Sequence, residues 1–204
     1  MTHLTPDLLG FLAAWLPAPP ARLLEIGCGD GALTRELLGR GFRVTAIDPD
    51  PPEGEPFVRS TLEEFEAEEP FDAAVAIRSL HHVGDLDAAI ASLAAALRPG
   101  GRLVMAEFAV ENFDEQAVRW LEAAGLSEHL DMHFDGVIPL AEVRRALAEV
   151  RRALGARFRE LAAEPAPYLA REAGREALHE PEREAIASGE LKPLGARLAY
   201  ELSR

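Results

Sequence analysis

The stretch LLEIGCGDGALT, residues 23–34, decides the fold of this chain. Aliphatic side chains lead into three glycines within five residues, and a helical pattern of leucines follows. This is the order of a buried strand, a tight turn and an amphipathic helix. Glycine allows the turn to take left-handed backbone angles and to approach a ligand without a Cβ in the way. The stretch therefore predicts a strand–turn–helix unit whose turn lies against a bound nucleotide.

Strands and helices alternate on both sides of this unit. A helix is predicted in residues 1–17, with Thr5 as its N-cap and Pro6 at its first position. Apolar runs predict strands at residues 21–27, 42–49, 56–61, 71–77 and 101–109, and amphipathic segments predict helices at 32–41, 62–65 and 85–101. Two outer segments, ARFRELAAEPAPYL and LGARLAYEL, predict a closing antiparallel pair. We expect one α/β domain, residues 1–204: a doubly wound, Rossmann-like, seven-stranded sheet, mostly parallel with an antiparallel last strand.

Two segments lie outside this alternation. Residues 111–136 contain a helix around Trp120 and then a polar stretch, and we interpret them as a lid over an acceptor pocket, since insertions beside a site tend to carry specificity. His129 and His133 have a spacing that can hold a metal ion, but a third ligand is not evident, so a metal site is not predicted. Residues 143–154 repeat every seven residues and predict a helix packed on the sheet.

The composition and charge of the chain argue against some classes of binding partner. A net charge of −14 argues against general affinity for nucleic acid or an anionic membrane, since such polyanions would be repelled. No run of 18 apolar residues is present, and the first 17 residues lack the basic leader and cleavage site of a signal peptide. The single cysteine, Cys28, fits a reducing cytoplasm and is expected to fill the glycine turn rather than act as a nucleophile.

The glycine turn alone leaves the cofactor open. Asp48 ends the second strand, where its carboxylate can accept hydrogen bonds from both hydroxyls of a ribose. The dinucleotide pattern G-x-G-x-x-G/A also fits, with Ala32 at its last position. Against it, Glu25 and Asp30 flank a helix start that should attract a pyrophosphate, and Gly31 follows the second glycine too closely. The acids favour a cationic ligand.

Four separated pieces then carry a family resemblance: EIGCGDG, TAIDP, FDAAVAIRSLHHV and LRPGGRLV. Together, from about Leu23 to Met105, they resemble the class I S-adenosylmethionine-dependent methyltransferases, of the small bacterial methyltransferase-domain 11-like type. The resemblance implies an enzyme that uses S-adenosyl-L-methionine. It also implies a set of cofactor-binding residues: Glu25, Gly27, Cys28, Gly29, Asp30, Gly31, Asp48, Pro49, Thr61, Leu62, Arg78 and Ser79.

The resemblance also implies a role for the residues of each motif. The backbone of Gly27–Gly31 would pass under the methionine moiety, with Glu25 near its amino group, and Asp48 would hold the ribose. Adenine would lie near Pro49 and the turn at residues 60–62, where many relatives carry an acid and this chain carries Ser60.

Catalytic candidates follow the fourth and fifth strands. A hydroxyl acceptor needs a base, most naturally histidine, whereas an amine or thiolate needs little more than positioning. His81 and His82 lie at the expected rim, although either could instead cap the next helix or pack beside the cofactor. Glu107 is a further candidate for holding the acceptor, with plain solvent exposure as the alternative. Tyr168 and Trp120 could line the pocket, but a core position is favoured for Trp120.

The sequence therefore predicts a methyltransferase acting on oxygen or nitrogen of a small molecule. Alternatives are an NAD(P)-dependent oxidoreductase and a non-catalytic cofactor-binding scaffold. A protein acceptor stays open. A nucleic-acid acceptor is disfavoured by charge and because the residues at 78–81, RSLH, lack the Asn/Asp-Pro-Pro-aromatic signature of base-amine methylases.

Overall fold

A seven-stranded sheet forms the centre of the molecule. The structure, a computed structural model, describes residues 4–125, 146–172 and 175–203. The strands are β1 (Arg22–Ile26), β2 (Arg43–Asp48), β3 (Phe57–Arg59), β4 (Phe71–Ile77), β5 (Leu97–Phe108), β6 (Phe158–Ala166) and β7 (Gly195–Leu202). Their order across the sheet is β3-β2-β1-β4-β5-β7-β6.

Only β7 runs against its neighbours. It is antiparallel to both β5 and β6, whereas the pairs among β1 to β5 are all parallel. The predicted doubly wound sheet with an antiparallel last strand is confirmed. The chain winds from β1 toward β3 on one side and from β4 onward on the other, so the strand order reverses between β1 and β4. Ligands of such sheets bind at this point, beyond the carboxyl ends of the strands.

Helices cover both faces of the sheet. They are α1 (Pro6–Trp15), α2 (Ala32–Gly39), α3 (Leu86–Ala96), α4 (Glu115–Ala123), α5 (Leu147–Leu154), α6 (Leu169–Glu172) and α7 (His179–Ser188). The N-cap predicted for the first helix is present, because the Thr5 side chain accepts the N–H of Leu8 at 3.3 Å. One face packs against α1 and α2, and the other against α3 and α5.

The seven-residue repeat does form a packed helix where the structure describes it. Leu147, Val150 and Leu154 are buried in the core of the α3 face. The first part of the repeat, residues 143–145, lies outside the described residues. The short helix predicted at residues 62–65 is wrong, because residues 62–64 form a turn. Four residues give too few helical hydrogen bonds to offset the cost of nucleating a helix.

A third hydrophobic cluster, the edge cluster, sits at the carboxyl edge of the sheet. Its buried side chains come from the end of β5, from α4 and from the segment between β6 and β7: Phe108, Ala117, Leu121, Leu169, Ala185, Leu191 and Leu194. Trp120 and Tyr168 pack on it half-buried, and the Tyr168 ring centroid lies 4.3 Å from that of Phe108. Hydrogen bonds join its two halves, since Asn112 donates to the carbonyl of Pro193 at 2.7 Å.

The edge cluster includes only part of the predicted lid. Of residues 111–136, the structure describes 111–125, which contain α4. The remainder, with His129 and His133, lies outside the described residues. Among the described helices, none is long and apolar enough to cross a membrane.

Candidate cofactor and catalytic site

The glycine turn follows β1 at the point where the strand order reverses. The N–H groups of Gly27 and Cys28 donate to the carbonyl of Ile47, which ties the turn to β2 at 2.8 and 3.2 Å. Gly27 has φ +71°, and a Cβ added there would lie 2.5 Å from the Cβ of Ser79. The turn after β1 thus packs directly on the turn after β4, and only glycine fits that contact.

Asp48 links the glycine turn to the end of β2. Its Oδ2 accepts the N–H of Gly29 at 2.9 Å, and its Oδ1 accepts the N–H of Asp50 at 2.9 Å. Each carboxylate oxygen has a second lone pair, so the group can still accept hydroxyl donors from a ligand. The backbone bonds fix its orientation before a ligand arrives.

Glu25 lies buried at the end of β1, with only 3% of its surface exposed. Thr34 donates its hydroxyl to Glu25 Oε2 at 2.7 Å. The pKa of Glu25 is raised to about 7, mainly by burial and also by the charges of Asp30 and Asp48, against the lowering by the Thr34 hydrogen bond. A cation bound beside these acids would favour the ionised carboxylate.

Cys28 is a buried thiol that fills the turn. Burial first, then the negative charge of Glu25, raises the pKa of Cys28 to about 12. Nucleophilic thiolate chemistry is therefore disfavoured.

The turn predicted to meet adenine begins beside Asp48. The N–H of Ser60 donates to the Asp48 carbonyl at 3.1 Å. Pro49 is exposed and Thr61 half-buried, whereas Leu62 is buried within the core of the α3 face. The backbone thus brings this turn next to the predicted ribose-binding acid.

The turn after β4 holds the backbone in an uncommon conformation. Arg78 has φ +55°, which is rare for a residue with a side chain, while its N–H donates to the Ala106 carbonyl at 2.8 Å. Next to it, the hydroxyl oxygen of Ser79 is buried without a hydrogen-bond partner among the described residues. A buried hydroxyl in that state is suited to a ligand that supplies the missing bond.

A buried histidine–carboxylate pair lies directly after this turn in the chain. His81 Nδ1 lies 2.7 Å from Glu107 Oε2, and the two residues are 9% and 3% exposed. Glu107 Oε1 also accepts the N–H groups of Ser79 and Leu80 at 2.9 and 2.8 Å. Since a carboxylate surrounded by donors acts as the acceptor, Nδ1 is the donor in this bond, and in the neutral ring with that tautomer Nε2 keeps its lone pair. The alternative of a solvent-exposed Glu107 is wrong.

The two adjacent histidines differ in their surroundings. The ring of His82 lies against that of His81, with centroids 4.0 Å apart, but His82 is exposed. The sequence did not show which of them would be held by an acid, because that depends on the register of β5 beside β4. Glu107 follows Ala106, which pairs with Ile77 at the end of β4.

These features match a known family. Residues 1–150 match the model of a family described as methyltransferase domain. The chain belongs to this family. The resemblance to class I S-adenosylmethionine-dependent methyltransferases is thereby confirmed, and with it the expected cofactor, S-adenosyl-L-methionine. The oxidoreductase and scaffold alternatives gain no support.

The alignment with an individual curated relative covers a smaller part of the chain than the family model does. The chain is 36% identical over 117 residues to a ubiquinone biosynthesis O-methyltransferase of Xanthomonas campestris, an alignment that covers 50% of this chain and 49% of the relative. The chain thus matches about half the length of this curated relative.

Two solved structures share the fold. The N-methyltransferase NodS of Bradyrhizobium japonicum, in complex with S-adenosyl-l-homocysteine, has a TM-score of 0.59 and 17% identity over 97% of this chain and 85% of that chain. The 1,6-didemethyltoxoflavin-N1-methyltransferase of Burkholderia thailandensis, with bound 1,6-didemethyltoxoflavin and S-adenosylhomocysteine, has a TM-score of 0.60 and 21% identity over 98% of this chain and 77% of that chain.

The family's cofactor fits the residues present. S-Adenosylmethionine carries an ammonium and a sulfonium, and the acids Glu25, Asp30 and Asp48 surround the turn that would receive it. Ser79, whose buried hydroxyl lacks a partner among the described residues, lies against the same turn. The cofactor roles of individual residues stay predictions.

Proposed function

We propose that this protein is an S-adenosylmethionine-dependent methyltransferase that acts on a hydroxyl oxygen of a small molecule. The observation that carries the proposal is the buried His81–Glu107 pair, placed directly after the turn that packs on the glycine turn. An amine acceptor can react through its own lone pair, whereas a hydroxyl needs a base in place.

Each residue has a distinct role in this proposal. When bound, the cofactor supplies an electrophilic methyl group. Glu107 fixes the tautomer and the orientation of His81, whose Nε2 takes the proton of the acceptor hydroxyl as the oxygen becomes nucleophilic. Glu25, Asp48 and Ser79 hold the cofactor so that the acceptor and the methyl group meet in line.

The relatives support an oxygen acceptor. The curated relatives that match this chain at 36% identity are named O-methyltransferases, although the chain spans about half of their length. Nitrogen is the acceptor named for the two solved structures, which share only the fold at 17% and 21% identity. A nitrogen acceptor is therefore the second candidate.

The edge cluster is consistent with a small acceptor. It contains α4 and the β6–β7 segment, and we propose that residues 111–125, the described part of the predicted lid, cover the acceptor. A net charge of −14 disfavours nucleic acid, and the single cysteine fits a cytoplasmic setting.

The base can be tested with a matched pair of variants. His81→Asn keeps an N–H donor for Glu107 but lacks the basic nitrogen, and His82→Asn changes the exposed neighbour in the same way. With a panel of catechols as acceptors, formation of S-adenosylhomocysteine should fall about 10²- to 10⁴-fold in kcat for His81→Asn and little for His82→Asn. Affinity for S-adenosylmethionine, measured by calorimetry, should be unchanged in both.

Three results would contradict the proposal. Equal loss of kcat in the two variants would remove the specific role of His81. Methyl transfer to amines but not to catechols would mean that the acceptor atom is nitrogen. The His81–Glu107 pair would then not be needed as a base. Failure of the wild type to bind S-adenosylmethionine would overturn the cofactor itself.

A further inference from the structure

The side chain of Arg197 on β7 is largely buried, and no described residue accepts a hydrogen bond from its guanidinium. Its side chain is 15% exposed, and its Nε is inaccessible and has no hydrogen-bond partner among the described residues. The nearest carboxylate oxygen, Glu164 Oε2, lies 3.9 Å from Nε, which is too far for a hydrogen bond. Glu164 is itself half exposed, so water screens this ion pair.

The surroundings of Arg197 do not compensate for this burial. The Phe11 ring lies 6.0 Å below the guanidinium and provides a weak cation–π contact. The nearby Arg183 is held by Asp7 and Glu180, so these acids are occupied. Burial, with the charge of Arg183 added, lowers the pKa of Arg197, and Glu164 opposes this only in part.

Arg197 lies at the edge of the sheet that carries the candidate site. It pairs with Ala106, the residue before Glu107 on β5. The Ala106 carbonyl in turn accepts the N–H of Arg78, which begins the turn after β4. Since neighbouring strands lie about 5 Å apart, the backbone of Arg197 is about 10 Å from the end of β4. An acceptor that contacts both Arg197 and the turn after β4 must therefore extend across the end of β5.

A buried guanidinium with free donors is costly unless an anion completes it. A carboxylate matches two of its N–H groups at once, and such a charge-assisted pair is stronger than a neutral hydrogen bond. A phosphate dianion fits less well, because this guanidinium lies near the acids Asp7, Glu164 and Glu180 in a chain of net charge −14. The vacant donors therefore favour a single carboxylate.

We propose that the methyl acceptor carries a carboxylate, which binds the Arg197 guanidinium. This inference rests on the proposed function, since it names a group of the acceptor for the same site. It makes Arg197 a specificity-determining residue: the acceptor is anchored by its carboxylate on the α1 side of the edge, while its hydroxyl reaches the turn after β4.

Benzoate and benzyl alcohol test the carboxylate directly, without turnover. In ¹H–¹⁵N spectra of arginine Nε–H groups, the Arg197 signal is the one lost in Arg197→Gln. Millimolar benzoate should shift this signal saturably, and benzyl alcohol should leave it in place. The Arg159 signal serves as the control, because Arg159 is paired with Glu201 on the surface at 2.8 Å. Benzoate should raise Tm in the wild type and in Arg159→Gln but not in Arg197→Gln.

Turnover gives a second, independent measurement. With 3,4-dihydroxybenzoate and 4-methylcatechol as a pair, the wild type should prefer the carboxylate by kcat/KM. Arg197→Gln should lose at least tenfold of that preference, mainly through KM, and Arg197→Lys should retain part of it.

The possible failures can be told apart. If benzoate shifts neither signal, or shifts both equally, while S-adenosylmethionine still binds, the carboxylate inference is overturned and the proposed function stands. If benzoate binds at Arg197 and S-adenosylmethionine does not bind, the proposed function fails instead.

Discussion

At the scale of single residues, Gly27 and Gly54 provide a direct test of the contact between the two turns. Both have positive φ, +71° and +84°, but a Cβ at Gly54 meets nothing within 4 Å, whereas one at Gly27 meets the Ser79 Cβ at 2.5 Å. Gly54→Ala should cost about 1–2 kcal/mol through backbone strain alone. Gly27→Ala should cost about 1–3 kcal/mol more, because the Ser79 Cβ is fixed to its backbone. Urea unfolding measures both, and equal losses would show that the turns separate easily.

Glu25 should make the stability of the protein depend on pH. Burial raises its pKa from 4.5 to about 7, so the folded state keeps a proton that the unfolded state releases. Relative to Glu25→Gln, the free energy of unfolding should therefore fall as the pH rises from about 4.5 to about 7 and then level off. The loss should be on the order of 3 kcal/mol at most. Parallel curves for the two proteins between pH 4.5 and 8 would mean that Glu25 ionises freely.

Single residues also show what could and could not be predicted from the sequence. The glycines and Asp48 were identifiable because their spacing follows the strand–turn–helix unit itself. The pairing of His81 with Glu107 was not, since it joins residues 26 positions apart through the register of two strands. Arg197 was equally hidden, because an arginine on an outer strand gives no sign of being buried.

At the scale of secondary-structure elements, Glu182 on α7 holds the start of α6. Its carboxylate accepts the N–H groups of Tyr168, Leu169 and Ala170 at 2.6, 2.9 and 2.8 Å, and the residue is fully buried. Glu182→Ala would remove the acceptor of three N–H groups, two of them in buried bonds, and should cost about 3 kcal/mol or more. Glu184→Ala, an exposed position on the same helix, should cost little.

Hydrogen exchange locates this effect. In Glu182→Ala, the amides of residues 168–170 should exchange faster than in Glu184→Ala, while those of β1 and β4 should change less. Uniform acceleration across the sheet would show that the β6–β7 segment unfolds only with the whole domain.

Elements were predicted well where periodicity and turns agree. The alternation of apolar runs with amphipathic segments gave the seven strands, and glycine and proline marked several of their ends. The edge cluster was not predicted, because its parts come from residues 108–124 and 168–194, and their contact is tertiary. A hydrophobic pattern in each part alone fits any buried face.

At the scale of the whole molecule, unsatisfied groups gather at one edge. Within the ranges that the structure describes, the buried side-chain polar atoms without a partner are Ser79 Oγ and Arg197 Nε. Ser79 follows the carboxyl end of β4, and Arg197 lies near the amino end of β7, which reaches the same edge of the sheet because β7 is antiparallel. The two unpartnered atoms thus lie at the edge that carries the proposed cofactor and acceptor positions.

The net charge of −14 should distinguish the cofactor from its product. S-Adenosylmethionine carries one more positive charge than S-adenosylhomocysteine, with nearly the same shape, so the acids of the chain attract the former more strongly. Because salt screens this attraction, raising the salt concentration from about 10 mM to about 0.5 M should weaken S-adenosylmethionine binding severalfold. Binding of S-adenosylhomocysteine should change little, and calorimetric titration of each ligand at several salt concentrations measures the difference. Equal salt dependence would mean that the acids around the glycine turn, Glu25, Asp30 and Asp48, do not act on the sulfonium charge.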